Sequence, residues 1–370
     1  MPNWPWSKRE QPAASTPAPQ ASAPESPPSV APEIPPAEPV AQASPPPEPV
    51  AQMSPPAELA AQPVSPEAPQ AASPPPEPAP QASVQESPQE SPQGRSPVAI
   101  NPMDYSAKDL VLDVVRADRA GFYQIIDIPE NWEAPTRSGH WQVRDLVGHM
   151  IDVTEGYLTR WDMARRGDPA TPLGLLVMAQ ELDRVALTFR NLPREEAISR
   201  LKSSSDRLMA KFDALTADEW GGFNITHVFM GPLPTFFYPA FQIMDYGVHT
   251  WDMRWGLGEK DAKLDDRTAG VLVPYMFILM QSTVDQDSAQ GVDIEYGIVV
   301  DGDWGGQWRV HVKDGQFTYA PADDLASVPA VFHFRDASDF VLTTFGRIEA
   351  GEASGDTQVT DKARRLFFRI

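Results

Sequence analysis

The sequence of 370 residues contains no cysteine. The chain therefore forms no disulfide, offers no thiolate nucleophile and builds no zinc site from cysteine ligands. If this protein performs thiol chemistry, a cofactor or a substrate must supply the thiol. The lack of cysteine is also consistent with a reducing compartment.

Long apolar runs are missing as well. No stretch reaches the roughly 18 apolar residues that a membrane-spanning helix needs, and the opening residues MPNWPWSKRE contain no apolar core of a secretory signal. We therefore expect a soluble, cytoplasmic protein with no membrane partner.

Positive charge is scarce. The chain has 30 Lys and Arg against 51 Asp and Glu, a formal net charge of −21. The acidic excess continues beyond the first hundred residues, so it belongs to the folded part as well. Such a surface argues against nucleic acid as a main partner.

Residues 1–102 contain no aromatic residue after Trp6, and 29 of the 41 prolines lie within the first 100 residues. A Pro/Ala/Glu-rich segment without aromatic side chains cannot build a core that offsets the entropy of ordering, so we predict a disordered arm. Its proline content is typical of a semi-stiff spacer. An SH3-type ligand that contacts an unknown protein is the alternative interpretation.

Helical periodicity begins after Met103 and predicts a bundle over residues 103–285. Ser106 is a candidate N-cap, Gly167 a stop signal and Pro193 a residue suited to a first helical turn. The predicted helices cover 106–126, 141–167, 175–192, 194–215, 236–256 and 265–284.

The period changes after Gly291. Alternating segments predict strands within 292–302, 307–315, 316–321 and 330–334, and Asp-Gly pairs at 301–302 and 314–315 indicate tight turns. Helical signals return at 336–346 and 361–370. We therefore predict a small α/β sheet domain over residues 286–370 and an α+β fold class for the chain.

The stretch MDYGVHTWDM (244–253) contains the residues that most suggest chemistry. Met244, Val248 and Trp251 belong to an apolar seam, while Asp245 and His249 lie beside it, four residues apart. In a helix these two side chains point the same way and bring an oxygen and an imidazole nitrogen within reach of one metal ion. A hydrogen-bonded or solvated pair is the alternative.

A third ligand must come from another helix, and His149 is the candidate. It lies inside a predicted helix on a face expected to be at least half buried, next to Met150. A buried imidazole needs partners for its nitrogens. Facing helices of a bundle are a known source of metal ligands, so His149, Asp245 and His249 form the predicted metal site.

Two motifs also resemble a known family. WQVRDLVGHM (141–150) is similar to the Trp-then-His helix of the mycothiol-dependent maleylpyruvate isomerase family, a branch of the DinB-like four-helix proteins, and DYGVHTWDM (245–253) is similar to its later acidic and His-x-Trp-Asp motif. The resemblance covers about 104–285. It implies that His149, Asp245 and His249 bind a divalent metal and that mycothiol or a similar small thiol is the cofactor. Zinc is the expected metal, and the same ligands also suit iron or nickel.

The C-terminal residues 334–370 are similar to the end of sterol-carrier-like α/β domains, which often follow the bundle in this family. One position departs from the family pattern, which usually has Glu where this chain has Asp245. Aspartate is one methylene shorter, so its oxygen is withdrawn by about 1.5 Å.

These features predict a metal-dependent isomerase or S-transferase that acts on a small thiol and an electrophilic substrate, with the metal activating the thiolate. The alternative is a non-catalytic binding or scaffold protein with a vestigial metal site and a C-terminal domain for an apolar ligand. The paired histidines favour the enzyme, whereas the short Asp245 favours the alternative.

Overall fold

Residues 103–285, which the sequence periodicity predicts to be a helical bundle, form eight α-helices. The computed structural model describes residues 101–368, except for the side chains of Leu176, Ala179, Gln180, Glu181 and Leu182. The predicted arm at 1–102 thus lies outside the described residues, apart from its last two positions. The helices are α1 (Lys108–Ile126), α2 (Val143–Arg166), α3 (Leu175–Thr188), α4 (Arg194–Asp213), α5 (Ala217–Gly222), α6 (Phe237–Ile243), α7 (His249–Gly256) and α8 (Asp266–Ser282).

The bundle packs around two apolar clusters. Helix α2 contacts α3 and α4, while α1 contacts α6, α7 and the residues between them. Phe122, Val147 and Leu201, all without solvent exposure, belong to the cluster between α1, α2 and α4. This packing sets α2 and the α6–α7 segment on either side of a shared interior.

The α6–α7 segment contains a π-helical turn, Met244–Val248, which the periodicity did not predict. Such single π-turns widen a helix locally. A side chain at Gly247 would come within 2.7 Å of Thr268 Cγ2 and 3.3 Å of Asp118 Oδ2, so the turn needs a glycine where it meets α1 and α8.

Several local predictions are wrong. Ser106 does not cap α1, because a 3₁₀ turn over Tyr105–Ala107 precedes the helix. Between the predicted helices at 194–215 and 236–256, where no element was predicted, the chain forms α5 and an antiparallel hairpin of β1 (Asn224–His227) and β2 (Gly231–Pro234). By contrast, α2 does end at Gly167, whose φ of 73° is the left-handed conformation that favours glycine.

The C-terminal part is a five-stranded sheet with two helices. Its strands are β3 (Asp293–Val300), β4 (Gly306–Lys313), β5 (Gln316–Pro321), β6 (Ala330–Phe334) and β7 (Glu352–Gly355), and its helices are α9 (Ala337–Thr344) and α10 (Thr357–Ala363). The strand order is β5-β4-β3-β6-β7, with β3 and β6 parallel and the other pairs antiparallel. A bundle followed by a mixed sheet confirms the α+β class.

The sheet also differs from its prediction in two places. Strand β7 was not predicted, and the predicted helix at 361–370 is wrong, because α10 ends at Ala363 and Phe367 forms a bridge with Val284. Asp314 and Gly315 form the predicted tight turn, both with positive φ.

Helix α8 belongs to both halves of the fold. It packs on α1 and α6 on one side and on α9 and β5 on the other. One apolar cluster runs from the bundle through α8 into the sheet. The domain boundary at 285/286 stays a prediction. Among the described residues, no helix combines the length and apolarity needed to cross a membrane.

Candidate metal centre

The start of α2 is anchored so that His149 lies at a fixed depth in the bundle. The backbone N–H of Gln142 donates to Asp145 Oδ2 at 2.8 Å, and Arg190 donates to both oxygens of Asp145 at 2.6 Å. Burial raises the pKa of Asp145, but these hydrogen bonds outweigh it, and the pKa lies below its ordinary value. One turn further along α2, the side chain of His149 is buried.

Helix α3 comes unusually close to this part of α2. A Cβ atom at Gly148 would lie 2.8 Å from the Ala186 carbonyl oxygen and 2.8 Å from Phe189 Cβ. Glycine therefore permits the two backbones to approach next to His149.

Asp245 and His249 come from the opposite side of the bundle interior. Asp245 is the second residue of the π-turn and His249 the first residue of α7. His149 Nε2 lies 3.7 Å from Asp245 Oδ1, and the two imidazole rings are 5.2 Å apart and nearly perpendicular. The three predicted residues thus converge, with one nitrogen or oxygen atom of each within 4.8 Å of the others.

Trp141 covers the two imidazoles. Its ring centre is 5.3 Å from that of His149 and 6.3 Å from that of His249. The indole N–H donates to Asp183 Oδ1 of α3 at 2.6 Å, and His140 Nε2 lies 3.0 Å from the same oxygen. The tryptophan is therefore held in place by α3 and shields the cluster from solvent.

Asp252 orients His249 from behind. The carboxylate is fully buried, and its Oδ2 lies 3.0 Å from His249 Nδ1. A carboxylate at Nδ1 selects the tautomer in which Nδ1 carries the proton, which leaves Nε2 with a lone pair. Burial lowers the pKa of His249, despite the opposing effect of Asp252, so the ring is neutral.

Arg347, which follows α9 in the sheet region, completes this arrangement. It donates to Asp252 Oδ1 through Nε at 2.9 Å and to Oδ2 through Nη2 at 3.0 Å. Burial alone raises the pKa of Asp252, but Arg347 and His249 outweigh it and lower the pKa, so the carboxylate stays ionised. Sequence reasoning placed Asp252 in the motif but missed Arg347, since nothing local in the sequence signals a partner 95 residues away.

The other histidines are separate from this cluster. His311 and His333 lie on strands, as predicted, and bind Asp293 and Asp301 at the surface at 2.8 Å. His227 is the last residue of β1 and is buried, with its ring 5.7 Å from that of Tyr157.

The donor set fits a divalent cation. Two imidazoles and a carboxylate are ligands that zinc accepts, and three protein ligands leave coordination positions open. Ligand atoms about 2.1 Å from one tetrahedral ion lie about 3.4 Å apart, close to the 3.7 Å between His149 and Asp245. In addition, Asp245 Oδ2 is buried and has no hydrogen-bond partner among the described residues. An orphaned buried carboxylate oxygen is costly unless a cation or donor satisfies it.

Comparison with known proteins agrees with the two motifs. Residues 114–254 match the family model described as the mycothiol maleylpyruvate isomerase N-terminal domain. No curated protein matches the sequence. Among solved structures, a mycothiol-dependent maleylpyruvate isomerase is similar, with 13% identity and a TM-score of 0.46 over 68% of this chain and 94% of that one.

A second similar structure is the colibactin self-resistance protein ClbS in complex with a double-stranded DNA, with 13% identity and a TM-score of 0.35 over 41% of this chain and 95% of that one. Both solved structures resemble this chain only distantly. The family model is independent of them, and it spans both motifs. Residues 114–254 are thus similar in sequence to the mycothiol maleylpyruvate isomerase N-terminal domain.

Proposed function

We propose that His149, Asp245 and His249 bind one divalent metal ion, with zinc expected, and that this site serves a reaction of a small thiol. The observation that carries the proposal is the convergence of the three donor groups, together with Asp245 Oδ2, which is buried without a hydrogen-bond partner among the described residues. A bundle packed only for stability would gain from replacing these polar side chains by apolar ones.

The surrounding residues prepare the site in three ways. Asp252 holds His249 in the tautomer that presents Nε2. Trp141 limits the access of water to the imidazoles. The neutral His249 avoids the repulsion that an imidazolium would exert on a cation.

A bound divalent ion with open positions would lower the pKa of a coordinating thiol and so supply a thiolate at neutral pH. Because the sequence contains no cysteine, the thiol comes from a small molecule, and the family match supports mycothiol or a similar thiol. We therefore propose a thiol-dependent isomerase or S-transferase that acts on an electrophilic small molecule.

Elemental analysis of the purified full chain tests the metal site. We expect about one equivalent of divalent metal, and its loss in the double variant His149→Ala/His249→Ala. The matched control is His311→Ala/His333→Ala, which removes two surface histidines that also pair with aspartates. Full metal content in the first double variant would refute the site.

Thermal denaturation gives a second measurement. A ligand at 100 times its Kd stabilises the folded state by about 2.7 kcal/mol, or roughly 5–10 °C for a domain of this size. Calorimetry with mycothiol on metal-loaded and metal-free protein then tests the thiol. Equal affinity for mycothiol with and without metal would show that the metal takes no part in binding the thiol.

A non-catalytic binding function is the second candidate, and a cavity in the sheet region favours it. The cavity lies under β3 and β6 and is lined mostly by apolar side chains, among them Ile298, Phe332 and Phe340. Its volume is about 40 Å³, so an apolar ligand larger than a few water molecules would enter only if the lining side chains moved apart. A fluorescent fatty acid titrated into the full chain tests this function, and saturable binding that survives His149→Ala/His249→Ala would favour it.

A further inference from the structure

The proposed metal site is nearly enclosed. The side chains of His149 and His249 are 8% and 10% exposed, and that of Asp245 is 19% exposed. The proposed function, on which this inference rests, requires a thiol and an electrophilic small molecule to reach the same ion. The exposed part of Asp245 admits an ion rather than two organic molecules. One wall of the site must therefore move for both molecules to enter.

Trp141 is the wall that covers the imidazoles. The indole ring centre is 5.3 Å from that of His149 and 6.3 Å from that of His249, and the two imidazole ring centres are 5.2 Å apart. Aromatic rings at these separations are in contact, so no ligand fits between the indole and either histidine. Movement of this one side chain would uncover both histidines at once.

The backbone of Trp141 is fixed by hydrogen bonds on both sides of the residue. Thr136 donates to the Trp141 carbonyl oxygen through its N–H at 3.1 Å and through Oγ1 at 2.7 Å, and the Trp141 N–H donates to the Ser138 carbonyl oxygen at 3.0 Å. Helix α2 begins two residues later, at Val143. Opening is therefore a rotation of the indole about its side-chain torsions, which leaves α2 in place.

The indole has one hydrogen-bond donor, its N–H, and Asp183 accepts it. Asp183 Oδ1 lies 2.6 Å from the indole nitrogen and 3.0 Å from His140 Nε2. The side chains of Asp183 and His140 are 48% and 65% exposed. Water competes for such surface contacts and keeps their contribution to stability small. Trp141 is thus held less firmly than His249, whose partner Asp252 has no solvent exposure.

Asp183 itself lies at a fixed position. Its helix α3 packs on α2 through the close approach of Ala186 to Gly148. The backbone N–H groups of Leu173 and Gly174, just before α3, donate to the turn of the β1–β2 hairpin. Because α3 is attached in this way at both ends, the carboxylate stays in place to accept the indole N–H again after each opening.

We propose that Asp183 is a positioning residue that holds Trp141 as a lid over the imidazole side of the metal site, and that the thiol and the electrophile enter when this hydrogen bond breaks. Asp183 touches neither the ion nor the substrates and acts only through the indole. A purely structural bond would stabilise the whole bundle without distinction between its buried histidines. Loss of a lid should instead expose His149 and His249 alone.

Carbethoxylation with diethyl pyrocarbonate, followed by peptide mass spectrometry, measures the exposure of each histidine in the metal-free full chain. Asp183→Ala should accelerate modification of His149 and His249 by about 10-fold, the lower end for one lost hydrogen bond to a charged group, because Asp183 is half exposed. His227 is the internal control. It is as deeply buried, at 7% exposure, and its ring packs against the hairpin, α2 and α6. Its rate should not change.

Further variants separate the hydrogen bond from general effects of substitution. Trp141→Phe keeps an aromatic cover but removes the donor, so it should accelerate the same two histidines, and its combination with Asp183→Ala should be no faster than either single variant. Asp183→Asn retains an acceptor oxygen and should give a smaller acceleration than Asp183→Ala. Asp162→Ala is the matched control, because its carboxylate is 54% exposed and accepts a hydrogen bond from Lys211. It should leave all rates unchanged.

Unchanged rates at His149 and His249 in Asp183→Ala, or an equal acceleration at His227, would overturn the inference. If Asp183→Ala does not fold, Trp141→Phe and Asp183→Asn decide. Metal content is measured separately on the same proteins and should be the same in Asp183→Ala as in the unmodified chain, because Asp183 is not a ligand. An unmodified chain without metal would refute the proposed function, whereas the rates alone decide whether Trp141 is a lid.

Discussion

Replacing Asp252 by asparagine tests how the buried carboxylate supports the metal site. Asp252 is fully buried and accepts hydrogen bonds from His249 and from Arg347, whose side chain is 17% exposed. Asparagine keeps the shape but removes the charge. Arg347 would then lose its counter-ion, and breaking a buried ion pair costs roughly 3–5 kcal/mol. We expect a value near the lower end, because Arg347 retains some contact with solvent.

The same substitution should also weaken metal binding. Without the carboxylate, His249 is no longer held in the tautomer that presents Nε2, and loss of such an outer partner typically lowers metal affinity by about 10–100-fold, or roughly 1.4–2.7 kcal/mol. Urea denaturation of the metal-free protein measures the first effect. Competition with a chromophoric chelator measures the second.

Asp301→Asn is the matched control. Asp301 also accepts a hydrogen bond from a histidine, His333, at 2.8 Å, but both side chains are about half exposed. Exposed pairs contribute at most about 1 kcal/mol, and this pair is remote from the cluster, so metal affinity should not change. If Asp252→Asn bound metal as tightly as the unmodified protein, the orienting role of Asp252 would be wrong. If it lost no more stability than Asp301→Asn, the buried pair with Arg347 would not stabilise the fold.

Three further predictions concern single residues. Burial raises the pKa of Asp118 from 3.8 to about 7, so the folded state binds this proton more tightly than the unfolded state and the stability of the fold falls as the pH rises from about 4 to 7. In urea denaturation, Asp118→Asn should therefore show a flatter dependence of stability on pH and a higher stability at pH 8. An identical pH profile would contradict this assignment. Asp245→Glu lengthens the carboxylate by one methylene and should tighten metal binding in the chelator competition, since the three donor atoms are as much as 4.8 Å apart; weaker binding would show that the present spacing suits the ion. Gly148→Ala places a Cβ 2.8 Å from the Ala186 carbonyl oxygen and should lower the free energy of unfolding by roughly 1–3 kcal/mol, measured by thermal denaturation. Gly156→Ala is the control, because a Cβ there meets no atom within 4 Å, and it should cause no loss of stability.

The candidate site was predictable because its signals are local. Asp245 and His249 share a helix face through their spacing, and His149 lies on the inward face of an amphipathic helix. The π-turn that contains Asp245 was not predictable in this way, because it depends on the fit of Gly247 against α1 and α8 rather than on its own side chains. Convergence of the three residues therefore follows from periodicity, whereas the local widening of the helix does not.

Contacts between distant segments account for what sequence reasoning missed. The hydrogen bond from Arg347 to Asp252 joins α7 to the segment after α9, and the two segments share no sequence pattern. Strand β7 (Glu352–Gly355) is exposed at every residue and has no apolar alternation, so it depends on its neighbour β6 for its conformation. The hairpin before α6 was masked by glycine and proline, which indicate loops but also occur in short edge strands.

The ion pair between Arg347 and Asp252 couples the sheet region to the proposed metal site. A stronger contact between Arg347 and Asp252 orients His249 better toward a metal ion and so raises the affinity for the ion. Because such coupling is reciprocal, a bound ion would stabilise the contact of the segment that carries Arg347 by the same free energy. Hydrogen exchange in α9 and the residues that follow it should therefore slow when metal is added at the other end of this chain of contacts. Metal binding between the helices would then change the stability of the sheet region.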